Sequence, residues 1–340
     1  MHDASDEDLT YLALYIKEHF CVSNEAYHEL SMVCKDMPRS WKLKDVVQKL
    51  NSKSEIKPTP GYTGVQQSLR TRLTRRIECL IETVPIHSTD HVLRVKLSGD
   101  GTKIGKNLHV INFTFVLPDE EQSLSAAGNH TIAILKIPEA YEELLGLSDI
   151  AREVEQLNCI EVNGINFKLE FFLSGDWKFL ALVLGLDAAN SNHSCLWCKC
   201  PAKERHDLSK LWSLTDRKHG ARSIEEIIAK SSLPKSAERY NCSHRPVFPS
   251  IPIDHVIDTL HLFLRITDLL TNLLIQDLRS QDGIAKRTSP MFRTKATNMV
   301  TYEKFLNETC KIPFQWYVNP ETKQLKWRDL TGPEKLRLFL

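Results

Sequence analysis

Two aspartates follow apolar, strand-like runs, and their setting is typical of residues that bind cations. Asp100 lies in Leu97-Ser-Gly-Asp-Gly-Thr-Lys, and Asp176 lies in Phe171-Phe-Leu-Ser-Gly-Asp-Trp-Lys. Aspartate is a poor strand former, and its charge is costly beside a buried sheet. The two motifs therefore predict a pair of carboxylates at one end of a sheet. Such pairs hold two divalent metal ions on a phosphodiester in many nucleases and polymerases.

Each aspartate also has a purely structural interpretation. Asp100 precedes Gly101, and Asp-Gly is the commonest hairpin turn. Gly99 is less well explained by a turn, since a glycine lets a neighbouring backbone or a phosphate approach closely. Asp176 is suited to cap a following helix, which would contribute roughly 1 kcal/mol and would not exclude cation binding. The carboxylate-pair hypothesis depends on the two residues taken together.

A cluster of cysteines forms the second candidate site. Cys195 and Cys198 are separated by two residues, the spacing that places two thiolates on one tetrahedral zinc ion. A zinc site needs at least two more ligands, and free buried thiols are the alternative. The pair does not open a helix after a strand, which disfavours redox activity. The candidates for the missing ligands are Cys200, His255 and His261, with His193, His206, Cys242 and His244 nearby in sequence.

A third polar group occupies residues 253–261. As a hydrolase site, its aspartates and histidines would act as acid and base. As a structural feature, it would be a capped helix with polar residues on one face. Asp254 and Asp258 are four residues apart and would share that face.

The apolar spacing predicts a mixed α/β protein. Residues 5–50 have helical periodicity, a Pro- and Gly-containing linker follows at 53–61, and a basic amphipathic helix is expected at about 65–83. The pattern then predicts three strands at 91–97, 108–117 and 130–137, and a helix at 139–157. A fourth strand at 165–173 and a buried helix at 177–186 follow. Beyond an irregular stretch with one short helix at 223–230, a long apolar helix is predicted at 257–278.

Composition limits the class of protein. The 44 Lys and Arg balance 43 Asp and Glu, so net charge alone indicates no polyanionic partner. Four arginines, however, cluster in a short basic segment suited to phosphate contacts or to an ordinary solvated helix face. Nine cysteines without a signal peptide favour a reducing, intracellular compartment, either nuclear or cytoplasmic. The four arginines are Arg70, Arg72, Arg75 and Arg76.

The order of these motifs resembles the catalytic core of RNase H-fold cut-and-paste transposases. The resemblance is greatest to the branch with a cysteine-containing insertion, which includes Transib transposases and the catalytic subunit of the V(D)J recombinase. In that branch the first aspartate ends the first strand, the second follows the fourth strand, and a Cys-x-x-Cys pair comes about twenty residues later. The resemblance covers roughly residues 91–275, including the Pro-x-Asp-His…Asp-x-Leu-His segment at 252–261.

The resemblance implies a function and a set of site residues. Asp100 and Asp176 would bind two Mg²⁺ or Mn²⁺ ions for DNA nicking and joining, and Cys195 and Cys198 would be half of a structural zinc site. DNA, both transposon ends and target, would be the partner, and a homodimer is possible. The expected DNA contacts are the four arginines and Lys103.

The resemblance also implies a division of the chain. It predicts an N-terminal helical region, a basic connector, an RNase H-like core, a cysteine-containing insertion and a helical continuation. These regions would span residues 1–57, 62–88, 89–187, 188–256 and 257–340.

The family's third acid, a glutamate on a helix after the insertion, has no good match. Glu303 and Glu308 lie on a predicted helix at 302–309 but lack the expected context, so we expect a truncated chain. Two alternatives therefore remain beside an active transposase. One is a domesticated, inactive DNA-binding protein, and the other is a zinc-stabilised interaction protein whose aspartates only shape turns.

Overall fold

The computed structural model describes residues 5–83, 92–105, 107–120, 123, 125 and 128–338, and the side chains of residues 83, 259–261 and 290 lie outside that description. The chain divides into two compact units, Met1–Ile257 and Asp258–Leu340. Each contains helices and strands, which confirms a mixed α/β protein.

Three helices begin the first unit, as the periodicity predicts. They are α1 (Asp6–His19), α2 (Asn24–Val33) and α3 (Ser40–Lys53). Ser5 and Asp8 form a capping box at the start of α1, which satisfies backbone donors that a helix start leaves unpaired. The helices enclose a small apolar core of Leu14, Tyr27, Leu43 and Val46.

An eight-stranded mixed sheet forms the centre of this unit. Its strands run in the spatial order β1-β2-β5-β4-β3-β7-β6, and β8 pairs with β7. The β3–β7 and β7–β8 pairs are parallel and the others antiparallel. The strands are β1 (Lys57–Pro58), β2 (Gly64–Gln66), β3 (Val92–Ile104), β4 (Leu108–Val116), β5 (His130–Leu135), β6 (Cys159–Val162), β7 (Ile165–Gly175) and β8 (Val256–Ile257).

Alternation along the strands places the core on one face of this sheet. Leu97 of β3, Phe113 of β4 and Leu173 of β7 are buried, whereas Ser98 and Ser174 are only half-buried. Such period-two burial is expected when one face packs on helices. The helices of this layer and of the following segment are α4 (Leu69–Thr83), α5 (Tyr141–Leu144), α6 (Ser148–Gln156), α7 (Trp177–Val183) and α8 (Ile224–Ser231).

Several of the predicted elements differ from the structure. The helix expected at 139–157 is divided into α5 and α6 by a 3-10 turn at Leu145–Leu147. A Cβ atom at Gly146 would lie 3.2 Å from Leu135 and Tyr62, so this turn packs closely against β5. The linker at 53–61 contains β1, with Pro58 at the sheet edge, where a missing N–H is tolerated. The predicted first strand begins at His91, which lies outside the described residues.

Strand β3 is also longer than predicted, and this corrects the interpretation of Asp100 as a turn residue. Its ladder with β4 continues from Lys96 to Ile104, so Asp100 pairs with Asn112 in the middle of the ladder. The chain reverses five residues later, around Gly105, whose φ of 63° is accessible to glycine.

The second unit has its own core. It contains the helices α9 (Thr259–Gln281), α10 (Thr297–Lys304) and α11 (Gly332–Arg337). Helix α10 continues as a π-helical turn at Phe305–Thr309. The strands β9 (Trp316–Val318) and β10 (Leu325–Trp327) form a hairpin. Trp316 is buried at its centre and donates its indole N–H to the carbonyl of Met299 at 3.0 Å. None of the helices in the described ranges combines the length and the apolarity needed to cross a membrane.

Candidate functional site

The parallel pairing of β3 and β7 brings the two aspartate motifs to the same place. Ser98 is the register partner of Ser174, and Gly99 is the partner of Gly175. Asp100 and Asp176 are the next residues on two strands that are separated by about 4.8 Å. Partner positions on neighbouring strands share one face of a sheet, and here it is the half-buried face. The two aspartates therefore each follow directly after the last residue pair of the β3–β7 register.

A third polar residue lies beside Asp100 on the neighbouring strand. Asn112 of β4 is its antiparallel register partner. The Oδ1 atom of Asn112 is buried and has no hydrogen-bond partner among the described residues. A buried carbonyl-type oxygen is costly unless it binds a donor or a cation. Three adjacent strands thus contribute two carboxylates and one carboxamide to this region.

Asp176 caps α7, as the sequence predicts. Its Oδ1 accepts a hydrogen bond of 2.7 Å from the backbone N–H of Phe179. This contact fixes the side chain and uses one of its two carboxylate oxygens. Asp100, in contrast, is exposed on β3.

The glycines before the aspartates make room for Phe179. A Cβ atom at Gly99 would lie 2.1 Å from Cζ of Phe179, and one at Gly175 would lie 2.6 Å from Cδ1 of the same ring. Phe179 is fully buried. The close approach that the sequence predicts at Gly99 is thus made by an aromatic side chain rather than by a phosphate or a backbone.

We expect Gly99→Ala to destabilise the first unit by about 1–3 kcal/mol, the usual cost of overpacking a core. The added methyl group would overlap the Phe179 ring, and Phe179 would have to move together with α7. Urea unfolding measures this change. Gly61→Ala is a comparison variant, since nothing lies within 4 Å of its Cβ position and only its φ of 77° is unfavourable. Equal stability of Gly99→Ala and wild type would contradict this packing.

An ion pair that the sequence did not indicate lies on the α7 face of the sheet. Lys178 Nζ is 2.6 Å from Oε2 of Glu139. Lys178 follows Asp176 by two residues, and the Glu139 carboxylate lies against Gly101. Glu303, a weak candidate for a third acid, instead pairs with Arg293 at 3.0 Å in the second unit.

In the cysteine-containing segment, Cys195 and Cys198 interact directly. A hydrogen bond from the Cys198 thiol lowers the pKa of Cys195 to about 6, and the same contact with burial raises that of Cys198. Cys195 is therefore a thiolate at neutral pH, which is the form that binds metal ions. Burial raises the pKa of Cys242, which stays a neutral thiol.

A buried arginine organises this segment. Arg222 is 2 % exposed, and its Nη1 is 3.3 Å from Sγ of Cys242. Its guanidinium also donates hydrogen bonds of 2.8–3.1 Å to four backbone carbonyls, those of Cys195, Cys198, His193 and Tyr240. The side chain connects the Cys-x-x-Cys loop to the chain around residue 241.

The predicted additional zinc ligands have other contacts. The Cys200 thiol lies 3.6 Å from the carbonyl of Pro201. His255 Nδ1 is 2.9 Å from the carbonyl of Phe171, and its ring stacks on Phe172. The side chain of His261 lies outside the described residues. Throughout the part of the chain that the structure describes, no three His, Cys, Asp or Glu side chains are grouped so that they could hold a metal ion.

The low pKa of Cys195 gives a testable pH dependence. Alkylation of Cys195 by iodoacetamide should rise through about pH 6 and level off near neutrality, because the thiolate is the reactive form. Cys198 should stay unmodified over this range because its pKa is raised. Peptide mass spectrometry distinguishes these residues from the exposed cysteines, of which Cys159 serves as the reference. A midpoint near pH 8–9 at Cys195 would contradict the thiol contact.

Two of the four arginines of the basic segment are held by contacts within the fold. Arg76 donates hydrogen bonds of 2.8 and 2.7 Å to both oxygens of the buried Glu120 carboxylate. Arg75 donates to the backbone carbonyl of Lys53. These contacts anchor α4. The position of Arg75 and Arg76 is therefore explained by contacts within the fold, without the DNA contacts that the sequence predicts.

The remaining basic candidates are more accessible. Arg70 is exposed at the start of α4, and Lys103 is exposed near the end of β3. Arg72 is half-buried, and its Nε is buried without a hydrogen-bond partner among the described residues.

Comparisons with known proteins do not assign this chain to a family. No protein-family model matches it, and no curated protein has significant similarity to it.

Proposed function

We propose that this chain is an RNase H-like, transposase- or recombinase-type protein that binds DNA and uses a divalent metal ion for phosphoryl transfer. The supporting observation is the β3–β7 register, which pairs Gly99 with Gly175, the residues directly before Asp100 and Asp176, from positions 76 residues apart in the chain. The element order also supports it, with β6 as an additional strand: β3, β4 and β5, then α5 and α6, then β6 and β7, then α7. In the family that the chain resembles, three strands, a helix, a fourth strand and a helix carry the first two catalytic aspartates.

The donor set fits Mg²⁺ or Mn²⁺. Mg²⁺ prefers oxygen ligands and keeps several waters, so one or two carboxylates at an open site suffice to hold it. Asp100 is exposed, and the orphaned Oδ1 of Asn112 on the next strand is a further oxygen. Two such ions would activate the attacking oxygen and stabilise the leaving oxygen of a phosphodiester.

The residues themselves have distinct roles in this proposal. Asp100 and Asp176 would hold the cation where the pairing of β3 with β7 ends. The cap contact to Phe179 fixes Asp176 before any ligand binds, so the site is partly preorganised. The buried ring of Phe179 against Gly99 and Gly175 keeps α7 and the two strands in register.

The cysteine pair fits a zinc ion only in part. Cys195 and Cys198 supply two thiols in contact, one of them a thiolate at neutral pH. Tetrahedral zinc needs at least two more ligands. The proposal therefore assigns to these residues half of a structural zinc site, with Arg222 fixing the loop that carries them.

A second candidate function is metal-dependent DNA binding without cleavage. The observation that favours it is the lack, within the described residues, of a third His, Cys, Asp or Glu in metal-binding geometry beside the two aspartates. This candidate corresponds to a domesticated transposase.

One experiment tests the proposal and separates the two candidates. The purified chain is mixed with supercoiled plasmid and a fluorescent DNA duplex, with Mn²⁺ or with EDTA. The proposed enzyme binds the duplex and nicks the plasmid only with Mn²⁺. Metal-dependent binding without nicking supports the second candidate. DNA affinity that is absent, or that does not depend on the metal, contradicts both.

A further inference from the structure

The face of the sheet on which Asp100 lies also carries Lys96. The ladder between β3 and β4 runs without a register shift from Lys96 to Ile104, so successive side chains of β3 alternate between the two faces. Lys96 is four residues before Asp100 and therefore shares its face, about 13 Å away along the strand. Lys103 is three residues after Asp100 and lies on the opposite face, the one that packs against α7.

Lys96 has apolar register partners, and its charge is not neutralised. Phe172 of β7 and Val116 of β4 are its partners on the two neighbouring strands. The ring of Phe172 is stacked on His255 at a centroid distance of 4.4 Å. A lysine stem covers such apolar surface readily while its ammonium group stays in water. Within the part of the chain that the structure describes, Lys96 forms no ion pair and no side-chain hydrogen bond.

The neighbouring cation on this face, in contrast, is neutralised. Arg94 lies two residues before Lys96, and its register partner is Glu170. Its Nη1 is 3.3 Å from Oδ1 of Asp119, and its Nε is 3.7 Å from Oε2 of Glu170. Lys96 is therefore available for an external anion, whereas two carboxylates already surround Arg94.

Hydroxyl groups lie between Lys96 and Asp100. Ser98 is on the same face, with Ser174 as its partner on β7 and Thr114 as its partner on β4. The hydroxyl groups of Ser98 and Ser174 form no hydrogen bond with any described residue. Serine and threonine side chains are common donors to phosphate oxygens of DNA. The surface from Lys96 to Asp100 therefore offers donors rather than competing carboxylates.

A second unpaired lysine lies on this face, on the other side of Asp100. Asp100 pairs with Asn112 and Asn112 with Ile134, so the three residues form one row across β3, β4 and β5. Lys136 is two residues beyond Ile134 and is exposed between two buried neighbours. Two strand spacings and two residues place it about 12 Å from Asp100, in the direction away from Lys96. It has no ion pair among the described residues.

We propose that a DNA strand crosses this face of the sheet and that Lys96 and Lys136 contact its phosphates on either side of Asp100. The inference rests on the proposed function and deepens it, because the phosphate between the two lysines is the one that reaches the cation. Charge complementarity selects this occupant: two unpaired ammonium groups flank the aspartate, and each attracts a phosphate. Lys103, on the opposite face, is then not a DNA contact.

The test measures binding of a fluorescent DNA duplex in Ca²⁺, a cation that takes the same oxygen ligands as Mg²⁺. Lys96→Gln and Lys136→Gln should each reduce the slope of log affinity against log salt by about 1, and the double variant by about 2. Lys96→Arg should keep the wild-type slope. Lys103→Gln is the matched control: it removes the same charge from the same strand as Lys96→Gln, and it should leave the slope unchanged.

The control decides between the two faces. An equal reduction of the slope by Lys103→Gln would show that only net charge matters, and it would overturn the assignment of the face. A reduction by Lys103→Gln alone would place the DNA on the opposite face. Melting temperatures of the glutamine variants equal to that of the wild type show that each variant is folded, so that a changed slope reports a lost contact.

Failure of this inference is distinguishable from failure of the proposed function. If Ca²⁺ does not raise the DNA affinity of the wild-type chain, the proposed function is contradicted, and this inference with it. If Ca²⁺ raises the affinity but Lys96→Gln and Lys136→Gln leave the slope unchanged, only the path of the DNA is overturned.

Discussion

Replacement of Asp100 by asparagine should lower Mn²⁺ affinity at least tenfold and abolish metal-dependent DNA nicking, with no loss of stability. The carboxylate is exposed on β3, so the fold does not depend on its charge. A metal ligand that loses its charge is expected to cost more than the tenfold to hundredfold typical of a residue that only supports a ligand. Isothermal titration with Mn²⁺ and urea unfolding measure the two quantities.

Asp176 provides a comparison in which binding and stability are separable. Asparagine caps helices about as well as aspartate, so Asp176→Asn should lose Mn²⁺ but unfold like wild type. Asp176→Ala should lose Mn²⁺ and also about 1 kcal/mol of stability, because the Phe179 N–H loses its acceptor. Mn²⁺ affinities of Asp100→Asn and Asp176→Asn that equal the wild-type value would show that the two aspartates do not bind the cation.

Replacement of Arg222 by leucine should lower the free energy of unfolding by about 4 kcal/mol. Four carbonyls, in one buried and three partly buried hydrogen bonds, would each lose a charged donor at a cost of up to about 1–3 kcal/mol, partly offset because a buried charge is removed. Arg222→Lys should lie between leucine and wild type, since an ammonium lacks the planar fork that reaches several acceptors. Urea unfolding in the presence of EDTA measures the change without a contribution from bound metal.

Arg217 is the matched control for Arg222. It lies five residues earlier, and its side chain forms an exposed ion pair of 3.4 Å with Glu225. Arg217→Leu should change stability by less than about 0.5 kcal/mol, as surface substitutions usually do. If Arg222→Leu behaved in the same way, the guanidinium would not organise the cysteine-containing segment.

The sequence was most informative where local patterns decide the structure. The apolar runs at 108–117 and 165–173 predicted β4 and β7 closely, and Asp176 followed by Trp177 predicted the start of a buried helix. Helix caps and period-two burial depend on residues close in the chain, so both are visible in the sequence. For this reason β4, β7 and the start of α7 were predictable from the sequence.

The hairpin of β6 and β7 was missed although the sequence contains its signal. Asn163 and Gly164 form the turn with φ of 51° and 78°, the conformation for which Asn-Gly is preferred. The run Cys159–Val162 before it is only four residues long, and the predicted helix at 139–157 ended directly before it. A strand of four residues has too short an alternation of apolar and polar side chains to be identified before its partner strand is known.

Contacts between distant residues could not be predicted. Asp100 lies within β3 because the ladder with β4 continues beyond it. The dipeptide Asp-Gly alone predicts a turn at this position. Arg222 reaches carbonyls 18 to 29 residues away, and Glu139 meets Lys178 across 39 residues. Nothing in the local sequence distinguishes these charged residues from solvated ones, because only the tertiary fold buries or pairs them.

The most direct measurement is a crystal structure of the protein soaked in MnCl₂, with data collected near the manganese absorption edge. An anomalous peak bonded at about 2–2.5 Å to carboxylate oxygens of both Asp100 and Asp176 is the predicted result. Coordinates in which the two carboxylates point to opposite faces of the sheet, or a manganese ion bound by neither, would contradict the account.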